Sequence, residues 1–229
     1  MTQTTAITKA ILSFRDVEAK LNLQQSTDPH LFYEWNESLP ELSNAEEISL
    51  ERLSARYLRY LEEGEVNEGT LNIILLSPLL DALGLCDPPY RIRGEAWVEV
   101  QTTIDAEEGM TLLEGRIDAL TLQEQFWLVI IEGKRGGFNV LQAVPQTLAY
   151  MAATPHPDRP VFGLVTNGYD YLFVKLVREN RREFALSHNF TLLSDEQSNL
   201  FRVARVLKHL VSIAGTNMGN GKLGSILER

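Results

Sequence analysis

Apolar and polar residues alternate in part along residues 112 to 122, an apolar run from 126 to 131 closes on Glu132-Gly133-Lys134, and only Gln123-Glu124-Gln125 separates the two segments. Alternation with a period of two predicts strands, and a polar connection of three residues predicts that they pair as a hairpin. Further strands are predicted at 96 to 104, at the apolar run 161 to 166, at 169 to 177, where Asn167-Gly168 supplies a turn, and at 183 to 193. Helical spacing covers 7 to 23, 45 to 62, 67 to 83 and 195 to 214, with Asp28-Pro29 and Gly64 as punctuation. Another helix is predicted from about 140 to 153. Pro145 disfavours helix at Val144, so that helix is either kinked there or begins there. The order reads as an α/β (α+β) fold, an αβββαβ core of mixed sheet flanked by helices, with extra N-terminal helices and a C-terminal helix.

Strand parity brings chemistry together. Asp118, Glu132 and Lys134 are all even-numbered, as are the other positions of the two runs that share their face. Pairing across the 123 to 125 turn sets Asp118 opposite residues near 130 to 132, and facing Cβ atoms in such a pair lie roughly 4.5 to 5.5 Å apart. Two carboxylates at that distance repel unless a cation lies between them. Magnesium suits them, because it takes hard oxygen ligands and often only one or two carboxylates, leaving water and substrate phosphate to complete its shell; manganese is the natural substitute. His30, His156, His188 and His209 are scattered and Cys86 stands alone, so no softer ligand set competes. Lys134 adds a fixed positive charge that can stabilise charge on a reacting phosphate. An E-x-K by itself recurs by chance as a strand with solvated ends; the aspartate of matching parity is what raises it above that.

Gln142, Gln146 and Tyr150 recur every fourth residue on the helix that follows, so they share a face. Upstream, Glu65 and Glu68 open the 67 to 83 helix, and spacing alone admits either as an acid turned towards the site or as a carboxylate favoured by the helix dipole.

Taken jointly, these pieces resemble the PD-(D/E)xK nuclease superfamily, and within it the N-terminal nuclease domain of the type I restriction enzyme motor (R) subunit. The similarity runs through Gly115-Arg116-Ile117-Asp118, Glu132-Gly133-Lys134 and Gln146 to Tyr150, and through Glu68 standing ten residues before Pro78 in Ser77-Pro78-Leu79-Leu80-Asp81-Ala82-Leu83-Gly84. It spans about residues 65 to 175. The resemblance implies a restriction-endonuclease-like core, metal ligands Asp118, Glu132 and Glu68, a catalytic Lys134, and Gln146 and Tyr150 placing DNA or the lysine. The motor is not matched: no G-x-x-x-x-G-K-[S/T] loop is present, and Gly219-Asn220-Gly221-Lys222 lacks its spacing, so no ATP use is expected.

Charge complicates a DNA partner. The chain of 229 residues carries a net −10, but residues 1 to 90 hold 15 acidic against 6 basic residues, and residues 91 to 229 hold 16 against 15. The acidity is therefore N-terminal, and Arg91, Arg93, Arg116, Arg135, Arg178, Arg181 and Arg182 are left as candidate phosphate contacts. No signal peptide opens the chain, the apolar stretch 71 to 85 is interrupted by Asn72, Ser77, Pro78 and Asp81, and one cysteine permits no internal disulfide, so a cytoplasmic protein without a membrane span is expected.

The expectation is thus a magnesium-dependent DNA endonuclease of restriction type, without its own motor. Residues 1 to 64 form an acidic helical extension, 65 to 193 the nuclease-like core, and 194 to 229 a C-terminal helix and flexible tail. Two DNA strands need two sites, which points to a homodimer or to restriction-system partner subunits. The alternative is a catalytically silent nuclease fold that binds protein or nucleic acid.

Overall fold

The computed structural model describes residues 3–90, 92, 96–105, 109–117, 120–122, 126–130, 139–154, 157–179, 181–192 and 199–216. They form a mixed α/β protein built on two sheets.

The N-terminus departs from the single helix expected over 7 to 23. A strand, β1 (Gln3–Ala6), leads into one helical turn, α1 (Ile7–Ala10), and after a break into α2 (Phe14–Leu21). Ser13 and Asp16 cause the break. The Ser13 hydroxyl accepts from Asp16 N at 3.2 Å, and the Asp16 carboxylate accepts from Leu12 N at 3.1 Å and from the Ser13 hydroxyl at 2.7 Å. These local bonds cap a new helix instead of continuing the old one. A two-residue strand, β2 (Gln24–Gln25), follows.

Helix α3 (Asn44–Glu63) opens on a capping box made by Ser43 and Glu46. The helix expected over 67 to 83 is present but irregular: α4 (Glu68–Leu71), a π turn (Asn72–Leu76) and α5 (Ser77–Ala82) run on without interruption. Pro78 accounts for the irregularity, because it has no N–H to offer the Ile74 carbonyl and its ring crowds that oxygen. The ladder shifts so that Ser77 N donates to Asn72 O, and the Ile74 carbonyl instead accepts from Arg56 of α3 at 3.2 Å.

Strands β3 (Ala96–Asp105) and β4 (Gly109–Ile117) pair antiparallel, and β1 lies parallel on the far side of β4. The second sheet runs β2-β9-β8-β7-β6-β5, with β5 (Leu120–Leu122), β6 (Phe126–Ile130), β7 (Val161–Thr166), β8 (Asp170–Val177) and β9 (Glu183–Thr191). The strand expected over 112 to 122 is therefore two strands in different sheets, β4 ending at Ile117 and β5 starting at Leu120. The expected hairpin does form across residues 123 to 125, with Leu120 opposite Leu128 and Leu122 opposite Phe126. A 3-10 turn (Val140–Ala143) and α6 (Val144–Ala152) then carry the chain from β6 to β7, which lies parallel to it. Pro145 sits in the first turn of α6, where an N–H has no helical partner to lose, so the helix starts there instead of kinking.

Alternation along β7 and β8 divides the core. Phe162, Leu164, Tyr171 and Phe173 face α3, the α4–α5 run and the last helix, α7 (Asn199–Thr216). Val161, Val165, Leu172 and Val174 face α1, α2 and α6, together with Val100 and Leu113 of the smaller sheet. The segment before residue 64 is thus woven into both sheets and both cores. No helix among the described residues is long and apolar enough to cross a membrane.

Candidate functional site

Asp118, Glu132, Lys134 and Arg135 lie outside the described residues. What the structure describes is the frame around them. Ile117 and Leu120 bracket Asp118, and Ile130, the last residue of β6, comes two positions before Glu132. Arg116 stands in β4 opposite Trp97 of β3.

The carboxyl ends of β6 and β7 are level, since Ile130 pairs with Thr166. Beyond Thr166 the chain turns through Asn167-Gly168, and Gly168 has φ +98°, a left-handed conformation that glycine adopts without strain. A Cβ at Gly168 would come within 2.7 Å of Leu71 Cδ1 and would collide with the Tyr57 ring, so the turn is pressed against α3 and α4. The Tyr57 hydroxyl donates to Asn167 O at 3.0 Å and the Tyr171 hydroxyl to Gly168 O at 2.8 Å. Burial raises the pKa of both phenols, which keeps them neutral donors at any physiological pH. Leu71 lies three residues, one helical turn, beyond Glu68. The start of α4 is thereby held at the same end of the sheet as the end of β6.

Glu68 is the first residue of α4, behind an Asn67 N-cap that accepts from Thr70 N at 2.9 Å. It is half-buried, whereas Glu65 is exposed.

Gln146 and Tyr150 lie one turn apart on α6, the glutamine half-buried and the tyrosine buried. Gly115 of β4 faces the tyrosine closely: a Cβ there would stand 2.8 Å from Tyr150 Cε1 and 3.1 Å from Ile7 Cδ1. Two of the motifs singled out in the sequence, the one opening on Gly115 in β4 and the one ending on Tyr150 in α6, are in van der Waals contact. Spacing in the sequence could not reveal this contact, because 35 residues separate them.

Several arginines proposed as phosphate contacts have other work. Arg178 donates to the Ala152 and Thr154 carbonyls at 2.8 and 2.7 Å, closing the end of α6, and Arg182 donates to the Leu21 and Asn22 carbonyls at the end of α2. Arg181 pairs with Asp28 and Glu183. Arg91, Arg93 and Arg135 lie outside the described residues. Among the described residues no group of three or more His, Cys, Asp or Glu side chains is gathered closely enough to hold a metal ion. Of the expected ligands, Glu68 is the member that the structure describes.

No family model matches this chain, and no curated protein matches it.

Proposed function

We propose that the protein is a magnesium-dependent endodeoxyribonuclease whose site opens at the carboxyl ends of β6 and β7. The observation that carries the reading is the coming together there of the start of α4 and the end of β6, through the Ile130 to Thr166 register and the contact of Gly168 with Leu71. Parity supports it too. Leu128 pairs with Leu164 in the parallel ladder, and Leu164 belongs to the core that α4 and α5 cover.

Asp118, Glu132 and Glu68 would supply hard oxygen donors, a set that fits magnesium and does not fit a thiophilic metal. The cation, when bound, polarises a phosphate oxygen and acidifies a water. Lys134 holds a permanent positive charge two residues from Glu132, where it offsets charge on the phosphate and orients the attacking water. Gln146, at the half-buried start of α6, hydrogen-bonds the DNA or the lysine. Tyr150, packed on Gly115, fixes the spacing between α6 and β4 that this requires.

Nicking of supercoiled plasmid tests the reading. Cleavage should require magnesium or manganese, stop in excess EDTA, and fall by about 10²-fold or more in each of Asp118→Ala, Glu132→Ala and Lys134→Ala. The Asp118→Ala and Glu132→Ala variants should stay folded, because removing one carboxylate of a repelling pair relieves it in the absence of metal. Cleavage in EDTA, or full activity of the lysine variant, would overturn the mechanism. Absence of cleavage by the wild type would leave the silent binding module.

A further inference from the structure

Residues 1 to 90 carry only 6 basic side chains against 15 acidic ones, yet three of those 6, Arg52, Arg56 and Arg59, share one face of α3. Spacings of four and three residues place them within about 60° of one another around the axis, along a line about 10 Å long. Glu47 falls on the far side of the helix and Glu51 about 80° round from Arg59, whereas Glu62 lies only about 60° from Arg59, one turn on, without an ion pair to it. Glu63 continues the line one turn beyond Arg59 but makes no ion pair with it.

Cations elsewhere in the described structure are mostly committed. Arg178 and Arg182 close helix ends, Lys208 pairs with Glu46, Arg205 with Glu41, and Lys175 with Glu34 inside the core. Arg52 and Arg59 are exposed and bond to no described residue, and Arg56 spends one N–H on the neutral Ile74 carbonyl, which leaves its charge unbalanced. An unpaired row of arginines in an acidic segment repels itself unless an anion lies along it.

Its position says which anion. Tyr57, on the buried face of the same turns of α3, bonds the Asn167 carbonyl of the turn at the candidate site, so those turns lie level with it, and Arg56 reaches Ile74 in the run of helix that begins at Glu68. We infer that the Arg52–Arg56–Arg59 face of α3 is a track for the phosphate backbone of duplex DNA leading to that site; this rests on the nuclease reading above. The line of about 10 Å spans roughly three base-pair steps of 3.4 Å, and guanidinium groups suit phosphate oxygens.

The test uses the full chain, a fluorescein-labelled 30-base-pair duplex, calcium in place of magnesium, and a potassium chloride titration. Each phosphate contact contributes about 0.9 to the slope of log affinity against log salt. Arg52→Ala with Arg59→Ala should therefore lower the slope by about 1.8 and weaken binding about tenfold or more at low salt. Lys9→Ala with Arg15→Ala removes the same charge from exposed positions on the other side of the large sheet and should change neither. Equal losses in both pairs, no loss in the α3 pair, or no binding by the wild type at low salt would overturn the track. A wild type that binds through these arginines but never cleaves would overturn the nuclease reading and leave the track standing.

Discussion

Glu65 and Glu68 differ in how far water reaches them, and that difference separates two roles. A carboxylate that helps hold a cation has to leave bulk water, whereas one that merely answers the positive end of a helix can stay in it. Glu65 is exposed, and Glu68 is half-buried at the first position of α4. If Glu68 supports the site, Glu68→Gln should lower plasmid cleavage about tenfold or more, since 1.4 kcal/mol of lost transition-state stabilisation is one decade in rate. Glu65→Gln should leave the rate unchanged. If Glu68 serves only the helix dipole, the same change should cost about 0.3–1 kcal/mol of stability without a matching loss of rate. Rates from single-turnover nicking and stabilities from urea unfolding distinguish the two, and equal activity in both variants would reduce the site to Asp118, Glu132 and Lys134.

Elements here are joined by side chains that act at helix ends, and one such joint makes stability depend on pH. Glu46 caps α3 through the Ser43 backbone at 2.6 Å and the Ser43 hydroxyl at 2.9 Å, and it also accepts from Lys208 of α7. Burial pushes its pKa up, but the bonds from Lys208 and Ser43 outweigh that and hold it below the ordinary carboxylate value. A depressed folded-state pKa means the stabilisation is complete above the unfolded-state value and is lost as pH falls through the lower, folded one. Urea midpoints should therefore separate wild type from Glu46→Gln at pH 7, with the variant less stable, and converge as the pH is taken well below 4.5. A gap that persists in acid would mean that the joint works by shape alone. Local signals were legible: the 123 to 125 hairpin and the Asn167-Gly168 turn follow from neighbours in sequence, and Pro145 left only a kink or the start of α6. Long-range pairings were not. β1 is the polar string Gln3-Thr4-Thr5-Ala6, a strand only because β4 lies beside it, and Arg178 looks like a free surface cation until the carbonyls of Ala152 and Thr154 are folded against it. Lys175 is buried in an apolar strand because Glu34, 141 residues earlier, meets it. The candidate site was read as residue types and parity, whereas the position of the start of α4 at the Thr166 end of the sheet came from the packing of Gly168 on Leu71.

For the whole molecule, charge and copy number decide what a nuclease of this kind would leave behind. Each chain has one set of Asp118, Glu132 and Lys134, so under the proposed nuclease reading a single encounter would cut one strand. Severing a duplex takes a second copy on the opposite strand. Two chains of net −10 repel at long range, and the repulsion extends about 10 Å at 0.1 M salt and about 30 Å at 0.01 M. Duplex DNA cannot neutralise acidic partners, so pairing on it relies on short-range contact and on screening by salt. Nicked circles should therefore accumulate before linear plasmid, and the rate of linear product should rise more steeply than the first power of protein concentration. Raising the salt moderately at saturating protein should increase the ratio of linear to nicked product, until loss of phosphate contacts removes binding altogether. Gel quantitation of the three plasmid forms over a concentration series measures both. Linear product that appears without a nicked precursor, at a rate proportional to protein, would mean that the two sites are already joined in a preformed dimer whose contacts overcome the charge.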